Sequence, residues 1–228
     1  MNGIIIVNKP KGITSYDVIR FFKRSFNLKE KIGHAGTLDP LASGVLIVCI
    51  GKATGLSSGF MKMEKEYEAK MLLGVVTDTD DTDGKVLEKK EVNTGELEIR
   101  EVIEKFKGEI EQVPPVVSAI KYHGSPLYKL HRKGVPVVPA PKKVFIREIE
   151  ILDISIPFVD FRVVCSKGTY IRSLCRDIGS ILGCGGTQTE LKRTRVGDYR
   201  IGESFTLEDI EKKGMENCLI PIWKTNSR

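Results

Sequence analysis

Short runs of apolar residues, many of them β-branched, recur along the chain and predict strands. The clearest runs cover residues 4–7, 45–50, 66–73, 144–156, 158–165 and 187–196. The runs at 144–156 and 158–165 lie close enough in sequence to pair as a hairpin.

Apolar residues spaced three and four apart predict helices between these strands. The clearest helix opens at Thr169 and ends near Leu182, with Arg172 and Arg176 off its apolar face. Ser15 is expected to cap a helix that reaches about Phe26. Shorter helices are expected over residues 52–60 and 95–107, from Ser125-Pro126, and from Thr206.

Strands and helices are interleaved, yet several neighbouring strands are too close for helical crossovers. The pattern therefore favours the α+β class, with a mixed, mostly antiparallel central sheet and flanking helices. A chain of 228 residues is long enough for one large domain or two small ones.

Composition excludes several classes of protein. Hydrophobic residues make up 41% and charged residues 29%, which is typical of a soluble globular chain. The longest apolar runs, such as 45–50, are far shorter than the roughly 20 residues of a membrane helix. No signal peptide is visible after Met1, so a cytoplasmic location is expected.

The five cysteines predict buried thiols in a reducing compartment. Their number is odd and no pair has C-x-x-C spacing, so neither a disulfide framework nor a zinc site is expected. The three histidines form no H-x-x-x-H, and no metal is expected.

Positive charge is concentrated in parts of the chain. The formal net charge is +6; residues 1–60 and 161–200 each carry +5, residues 112–160 carry +3, and residues 61–111 carry −6. A shared basic face would suit a polyanion such as nucleic acid, although a mildly basic surface is the plainer interpretation.

Common cofactor and nucleophile motifs are absent. The sequence contains no G-x-x-x-x-G-K-[ST], no G-x-G-x-x-G after a strand, no G-x-S-x-G and no H-E-x-x-H. No cofactor is therefore expected, and any chemistry would depend on side chains alone.

Residues 33–44 form the most unusual segment, which is expected to be a glycine-rich loop. Pro40 restricts the backbone of Asp39, which could direct a carboxylate from a stiff position. A structural Asp-Pro turn is the alternative. The acidic residues 77–84 lack EF-hand spacing and are expected to form a solvated loop.

Four further side chains are candidates for a site. Arg172 could keep a buried carboxylate ionised, or it could be a solvated arginine. Tyr67 and Tyr170 could contact a ligand or belong to the core. His34, next to Gly33, could stack on a base or be an exposed loop residue.

Several segments, in order, closely resemble motifs of the bacterial tRNA pseudouridine synthase B family, over about residues 3–200. These segments are 9–15, 33–46, 65–69, 77–84, 112–122, 166–172 and 183–186 followed by 191–193.

The resemblance implies the pseudouridine synthase fold and an isomerase that converts a T-loop uridine of tRNA, usually position 55, to pseudouridine. It implies that Asp39 is the nucleophile, that Arg172 pairs with Asp39, and that Tyr67 stacks on the flipped uracil and helps remove its C5 proton. His34 would occupy the space that the extruded base leaves. Tyr170 and Leu191 would line the uracil pocket.

The resemblance leaves the order of chemical steps open: Asp39 could add to uracil C6, attack ribose C1′, or act through the sugar as a base. Family members usually continue into a small C-terminal RNA-binding PUA module. Here we expect a catalytic domain over residues 1–203 and only a short helix and tail over 204–228, which fold back or begin a truncated connection.

The expected partner is the T-stem-loop of tRNA, bound by a monomer that needs no protein partner and no membrane. The alternative is a non-catalytic tRNA-binding or folding protein on the same scaffold. A guide-RNA-dependent relative is disfavoured, because such members rely on the C-terminal module.

Overall fold

The computed structural model describes residues 1–118 and 120–225. The strands are β1 (Gly3–Lys9), β2 (Ile32–Ala35), β3 (Ala42–Ile50), β4 (Lys65–Leu73), β5 (Val75–Thr77), β6 (Val86–Lys89), β7 (Gly108–Gln112), β8 (Lys121–Tyr122), β9 (Ser125–Pro126), β10 (Lys142–Ser155), β11 (Phe158–Cys165), β12 (Gly186–Val196), β13 (Tyr199–Arg200) and β14 (Ile220–Pro221). The helices are α1 (Ser15–Ser25), α2 (Ser57–Lys62), α3 (Glu96–Glu104), α4 (Leu127–Arg132), α5 (Ile171–Ile181), α6 (Leu207–Lys213), α7 (Met215–Cys218) and α8 (Ile222–Thr225), with 3₁₀ turns at Gly51–Leu56 and Ile201–Glu203.

The chain divides into two compact units. The first comprises Met1–Tyr67 and Leu191–Arg228, and the second comprises Glu68–Glu190. Strands β4 and β12 contribute residues to both units.

In the first unit, β3 is the central strand. One edge of β3 pairs with β1 along its whole length, and β1 pairs in turn with β14, all antiparallel. The other edge is shared, because β2 pairs antiparallel with residues 47–50 and β12 pairs parallel with Ala42–Gly44. The loop 36–41 joins β2 to β3 at the interruption between these two partners.

Both faces of this sheet are buried, which explains the uniformly apolar runs at 4–7 and 45–50. Ile5 and Leu46 belong to one hydrophobic cluster, together with Val18 and Phe22 of α1. Ile4 and the alternate residues of β3 belong to a second cluster. Residues 204–222 also fold onto this unit: the Phe205 N–H donates to the Ile6 carbonyl (2.9 Å).

In the second unit, the strand order is β12, β4, β11, β10 and β7. The hairpin of β10 and β11 is antiparallel, as predicted, and so is the pairing of β10 with β7. Helix α5 buries one apolar side, including Leu174 and Ile178. Parallel and antiparallel pairings thus coexist, with helices beside the sheet, and the predicted α+β class is confirmed.

Several local boundaries differ from the sequence prediction. Thr14, not Ser15, caps α1, because the Thr14 side chain accepts from the Asp17 N–H in a capping box. The glycine-rich segment is only partly loop, since Ile32–Ala35 and Ala42–Ile50 are strands. Ser125–Pro126 is a short strand, and the helix begins one residue later.

All five cysteines are buried thiols, as predicted. Over the described residues, no helix has both the length and the apolar character needed to cross a bilayer. Within the same ranges, no group of three or more His, Cys, Asp or Glu side chains could hold a metal ion.

Candidate active site

The loop that carries Asp39 is fastened to α1 by Ser15. The Ser15 hydroxyl donates to the Leu38 carbonyl (3.0 Å) and accepts from the Leu38 N–H (2.8 Å), and both residues are buried. On the other side of Asp39, the Gly12 N–H donates to the Pro40 carbonyl (2.8 Å). The neighbours of Asp39 on both sides are therefore held by separate parts of the chain.

Arg193 of β12 holds the start of the same loop. Its guanidinium donates to the carbonyls of Val45 (2.7 Å), Gly36 (3.0 Å) and Thr37 (3.3 Å), and only 1% of the residue is exposed. The Val45 carbonyl lies at the interruption on the edge of β3, so the arginine supplies the donor that a strand would otherwise provide. Gly44 has φ +103°, and a Cβ there would clash with the Arg193 backbone, so glycine permits this approach.

Lys9 contributes positive charge to the surroundings of Asp39. Its ammonium donates to the carbonyls of Pro10 (2.8 Å) and Ile13 (2.7 Å), and the residue is fully buried. Burial lowers the pKa of Lys9 to about 8, and the Asp39 carboxylate counteracts this by raising it. At neutral pH Lys9 is therefore mostly protonated, and it keeps a positive charge in the surroundings of Asp39.

Three other predicted residues lie in the first unit. Tyr67, on β4, and Leu191, on β12, are half-buried and pack against the hydrophobic cluster that contains Leu38. His34 is on β2 and not in a loop; it is half-buried, and its buried Nδ1 has no hydrogen-bond partner. Burial and the Arg193 guanidinium lower the pKa of His34, so its ring is neutral at pH 7.

Arg172 lies in the second unit and is not a solvated arginine, since it is only 4% exposed. Its guanidinium donates to the carbonyls of Thr79 (3.1 Å) and Val117 (3.0 Å), and its Nη1 lies 3.4 Å from Asp81 Oδ2. The position of this cation is thus set by acceptors from two loops.

The expectation of a solvated acidic loop at 77–84 is wrong for its central residues. Asp80 and Asp81 are buried, and Asp80 adopts φ +61°. Arg176 lies 2.9 Å from Asp80 and also donates to the Val113 carbonyl (2.8 Å). Burial raises the pKa of Asp80, and Arg176 counteracts it. Asp80 and Asp81 of the acidic turn therefore face the arginines of α5 and not solvent.

Tyr170 precedes α5 and is half-buried. Its backbone is held by Gln112, whose side chain donates to the Tyr170 carbonyl (2.9 Å) and accepts from the Tyr170 N–H (2.7 Å). The predicted site residues thus fall into two groups. Asp39, His34, Tyr67 and Leu191 lie in the first unit, and Tyr170 and Arg172 lie in the second.

Sequence reasoning missed the residues that support these groups: Ser15, Arg193, Asp81 and Gln112. All four residues fall inside the family motifs. The local sequence pattern, however, does not predict which residues they hydrogen-bond or pair with. Those partners lie 23 to 157 residues away in the chain.

Comparison with known proteins identifies the class. The family model described as TruB family pseudouridylate synthase (N terminal domain) matches residues 23–171, and that described as tRNA pseudouridylate synthase B C-terminal domain matches residues 172–219. The chain belongs to the TruB family of pseudouridylate synthases. It is therefore a member of a family of isomerases that act on tRNA.

Curated relatives carry the name tRNA pseudouridine synthase B. The protein of Clostridium tetani is 48% identical over 229 residues, which cover 100% of this chain and 79% of the relative. The protein of Francisella tularensis subsp. tularensis (strain WY96-3418) is 42% identical over 230 residues, 100% of this chain and 76% of the relative.

Solved structures agree with this fold. A chain in the crystal structure of a Cbf5-Nop10-Gar1 complex gives a TM-score of 0.74 at 34% identity, covering 99% of this chain and 56% of that one. A chain in an H/ACA RNP bound to a substrate RNA containing 2′-deoxyuridine gives 0.71 at 32%, with the same coverages. The present chain thus spans little more than half of each of those matching chains.

Proposed function

We propose that this chain converts the uridine at position 55, in the T-loop of tRNA, to pseudouridine, acting in the cytoplasm as a monomer without a protein partner. The observation that carries the proposal is the fixed presentation of Asp39. The residues on both sides of it are hydrogen-bonded to other segments, and its carboxylate interacts electrostatically with the cation of Lys9. A nucleophile needs such preorganisation to reach its target in one orientation.

The chemistry needs no added group. The bond between ribose C1′ and uracil N1 breaks, uracil turns, and a bond between C1′ and C5 forms. The C5 proton leaves and a proton is taken up at N1, so atoms and electrons balance without a cofactor. Each of the three routes that the sequence leaves open requires an ionised Asp39.

The remaining roles are proposed from the family resemblance. Tyr67 stacks on the extruded uracil and assists the removal of the C5 proton, and Leu191 and Tyr170 line the uracil site. His34, neutral at pH 7, takes the space left by the flipped base. Arg172 acts in the same reaction as the partner cation of Asp39. Stacking of this kind offsets part of the cost of extruding a base from a folded loop.

The tRNA backbone also needs cations, and the second unit supplies them. Between residues 113 and 147 the chain has seven Lys and Arg and no Asp or Glu. Lys129 and Arg132 of α4 are among the exposed ones. Exposed cations without acidic neighbours in the segment favour contacts with phosphates.

The test is to map modified uridines in tRNA and in a T-stem-loop transcript after incubation with the purified chain. Asp39→Asn is expected to lower the rate of tritium release from C5-labelled uridine by about a thousandfold or more, with tRNA affinity kept within about threefold. Asp198→Asn, which changes an exposed aspartate of the same unit, is the matched control and should retain full activity.

Unchanged turnover in Asp39→Asn would overturn the role of that carboxylate. Tight binding of tRNA by the wild-type chain without tritium release would favour the non-catalytic tRNA-binding protein. Modification at another uridine would contradict the assignment to position 55.

A further inference from the structure

Gln112 makes an unusual pair of hydrogen bonds. It is the last residue of β7 and only 1% exposed. Both ends of its side-chain amide engage the backbone of one residue, Tyr170, at 2.9 Å and 2.7 Å. A buried amide is costly unless its polar atoms are paired, and here the pairing holds a backbone 58 residues away.

This pairing holds the backbone of the residue at which α5 starts. Tyr170 is the N-cap residue and makes no side-chain cap of its own. Its carbonyl accepts the first helical hydrogen bond from the Leu174 N–H (3.1 Å) as well as the bond from Gln112. Gln112 therefore fixes the residue from which the helix starts.

The position of this start determines where Arg172 lies. Arg172 is two residues beyond Tyr170, in the first turn of α5, and its guanidinium must meet the carbonyls of Thr79 and Val117 and the carboxylate of Asp81. These acceptors belong to other segments. A rotation or shift of the first turn would therefore separate the guanidinium from them.

We propose that Gln112 is a positioning residue for the isomerisation. It holds the backbone of Tyr170, and through it the first turn of α5, so that Tyr170 and Arg172 are set for the reaction before tRNA binds. This inference rests on the proposed function. It predicts a loss in the chemical step and not in tRNA affinity, because the Gln112 side chain is buried and its amide is paired with the Tyr170 backbone.

The first test uses Gln112→Met, which keeps the approximate length of the side chain and removes both hydrogen bonds. We expect the single-turnover rate of pseudouridine formation to fall by about tenfold to a hundredfold, with the Kd for tRNA changed by less than about threefold. The matched control is Thr187→Val, which removes another buried side-chain hydrogen bond in the same unit, to the Val75 carbonyl (2.7 Å). It should lower stability while keeping the wild-type rate.

The second test uses Gln112→Glu and pH. A protonated carboxyl can donate to the Tyr170 carbonyl and accept from its N–H, as the amide does, whereas a carboxylate can only accept. Burial raises the pKa of such a carboxyl. The single-turnover rate relative to wild type should therefore approach one at low pH and fall as pH rises, while the ratio for Thr187→Val stays flat.

The outcomes separate this inference from the proposed function. A wild-type chain that forms no pseudouridine overturns both. An active wild-type chain with folded Gln112 variants that keep its rate at every pH overturns the inference alone, as does a loss confined to Kd. If Gln112→Met fails to fold, Gln112→Glu provides the test. Circular dichroism gives the pH range in which the Gln112→Glu variant is folded. Within that range, a purely structural role of Gln112 would give a ratio of variant to wild-type rate that does not depend on pH.

Discussion

Arg172 and Asp81 form an ion pair in which both side chains are withdrawn from solvent. Nη1 and Oδ2 are 3.4 Å apart, and the side chains are 4% and 9% exposed. A buried pair does not by itself make a protein more stable, but removing one partner leaves a charge that water cannot reach. The cation proposed to act in the reaction therefore depends on an aspartate in the acidic turn.

Asp81→Asn is expected to lower the free energy of unfolding by about 3 kcal/mol. The asparagine can keep the contacts of Oδ1 with Thr79 and the Asp83 N–H, but its amide group would face the Arg172 guanidinium donor to donor. Urea unfolding measures the change. Asp83→Asn, at an exposed position of the same turn, should stay close to wild type. Equal stability of the two variants would contradict this account.

Ser15→Ala should destabilise the loop that carries Asp39. It leaves the buried Leu38 N–H without its hydrogen-bond acceptor, at a cost of about 1–3 kcal/mol. The rate of pseudouridine formation should fall as well, because Leu38 precedes the proposed nucleophile. Ser25→Ala, at the exposed end of the same helix, is the control and should change stability by less than about 0.5 kcal/mol. A full rate in Ser15→Ala would show that the loop holds Asp39 without this contact.

Lys9 should make stability rise with pH in the mildly alkaline range. Its pKa is about 8 in the folded chain and 10.5 as an ordinary lysine. Between these values the unfolded chain binds more protons, so the free energy of unfolding increases with pH, by up to about 1.4 kcal/mol per pH unit. Well below pH 8, Lys9 is protonated in both the folded and the unfolded chain, so its contribution to the free energy of unfolding does not change with pH.

The measurement is the difference between wild type and Lys9→Met, from urea unfolding at several pH values between 7 and 9. A difference is needed because the buried Cys49, whose pKa burial raises from 9.0 to about 12, acts in the opposite direction at higher pH. A difference that does not vary with pH would mean that Lys9 titrates normally.

Binding of tRNA should weaken with salt through the cations of the second unit. Lys129→Gln and Arg132→Gln are each expected to reduce the slope of log Kd against log salt by about 1, with little dependence on the RNA sequence. Lys105→Gln removes an exposed cation from the acidic part of the chain and serves as the control. Slopes identical to wild type in both α4 variants would place the phosphate contacts elsewhere.

The sequence predicts the parts of this molecule that depend on local periodicity. The hairpin of β10 and β11 and the helix α5 follow from the spacing of apolar residues, because one buried face is enough to specify a strand or a helix. The roles of Asp80 and Asp81 do not follow from spacing. The composition of an acidic turn predicts exposure to solvent. The burial of these two aspartates is favourable only because of the arginines of α5, which lie over 90 residues later in the chain.

Ser15 also shows that local sequence pattern does not predict a tertiary contact, here over a shorter separation in the chain. Serine before an apolar helical pattern is typical of an N-cap, but Thr14 takes that place, and the Ser15 hydroxyl is turned to the Leu38 backbone. Family motifs identify Asp39, Tyr67 and Arg172 as candidates without saying what holds them. The supporting contacts depend on tertiary neighbours that no local pattern contains.

The buried thiols give each unit its own built-in reporter of opening. Cys49 and Cys218 belong to the first unit, whereas Cys165, Cys175 and Cys184 belong to the second. An alkylating reagent reacts with a thiol only when the surrounding structure exposes it. Mass spectrometry of peptides alkylated during mild denaturation would therefore reveal which half of the enzyme loosens first, without a single engineered label.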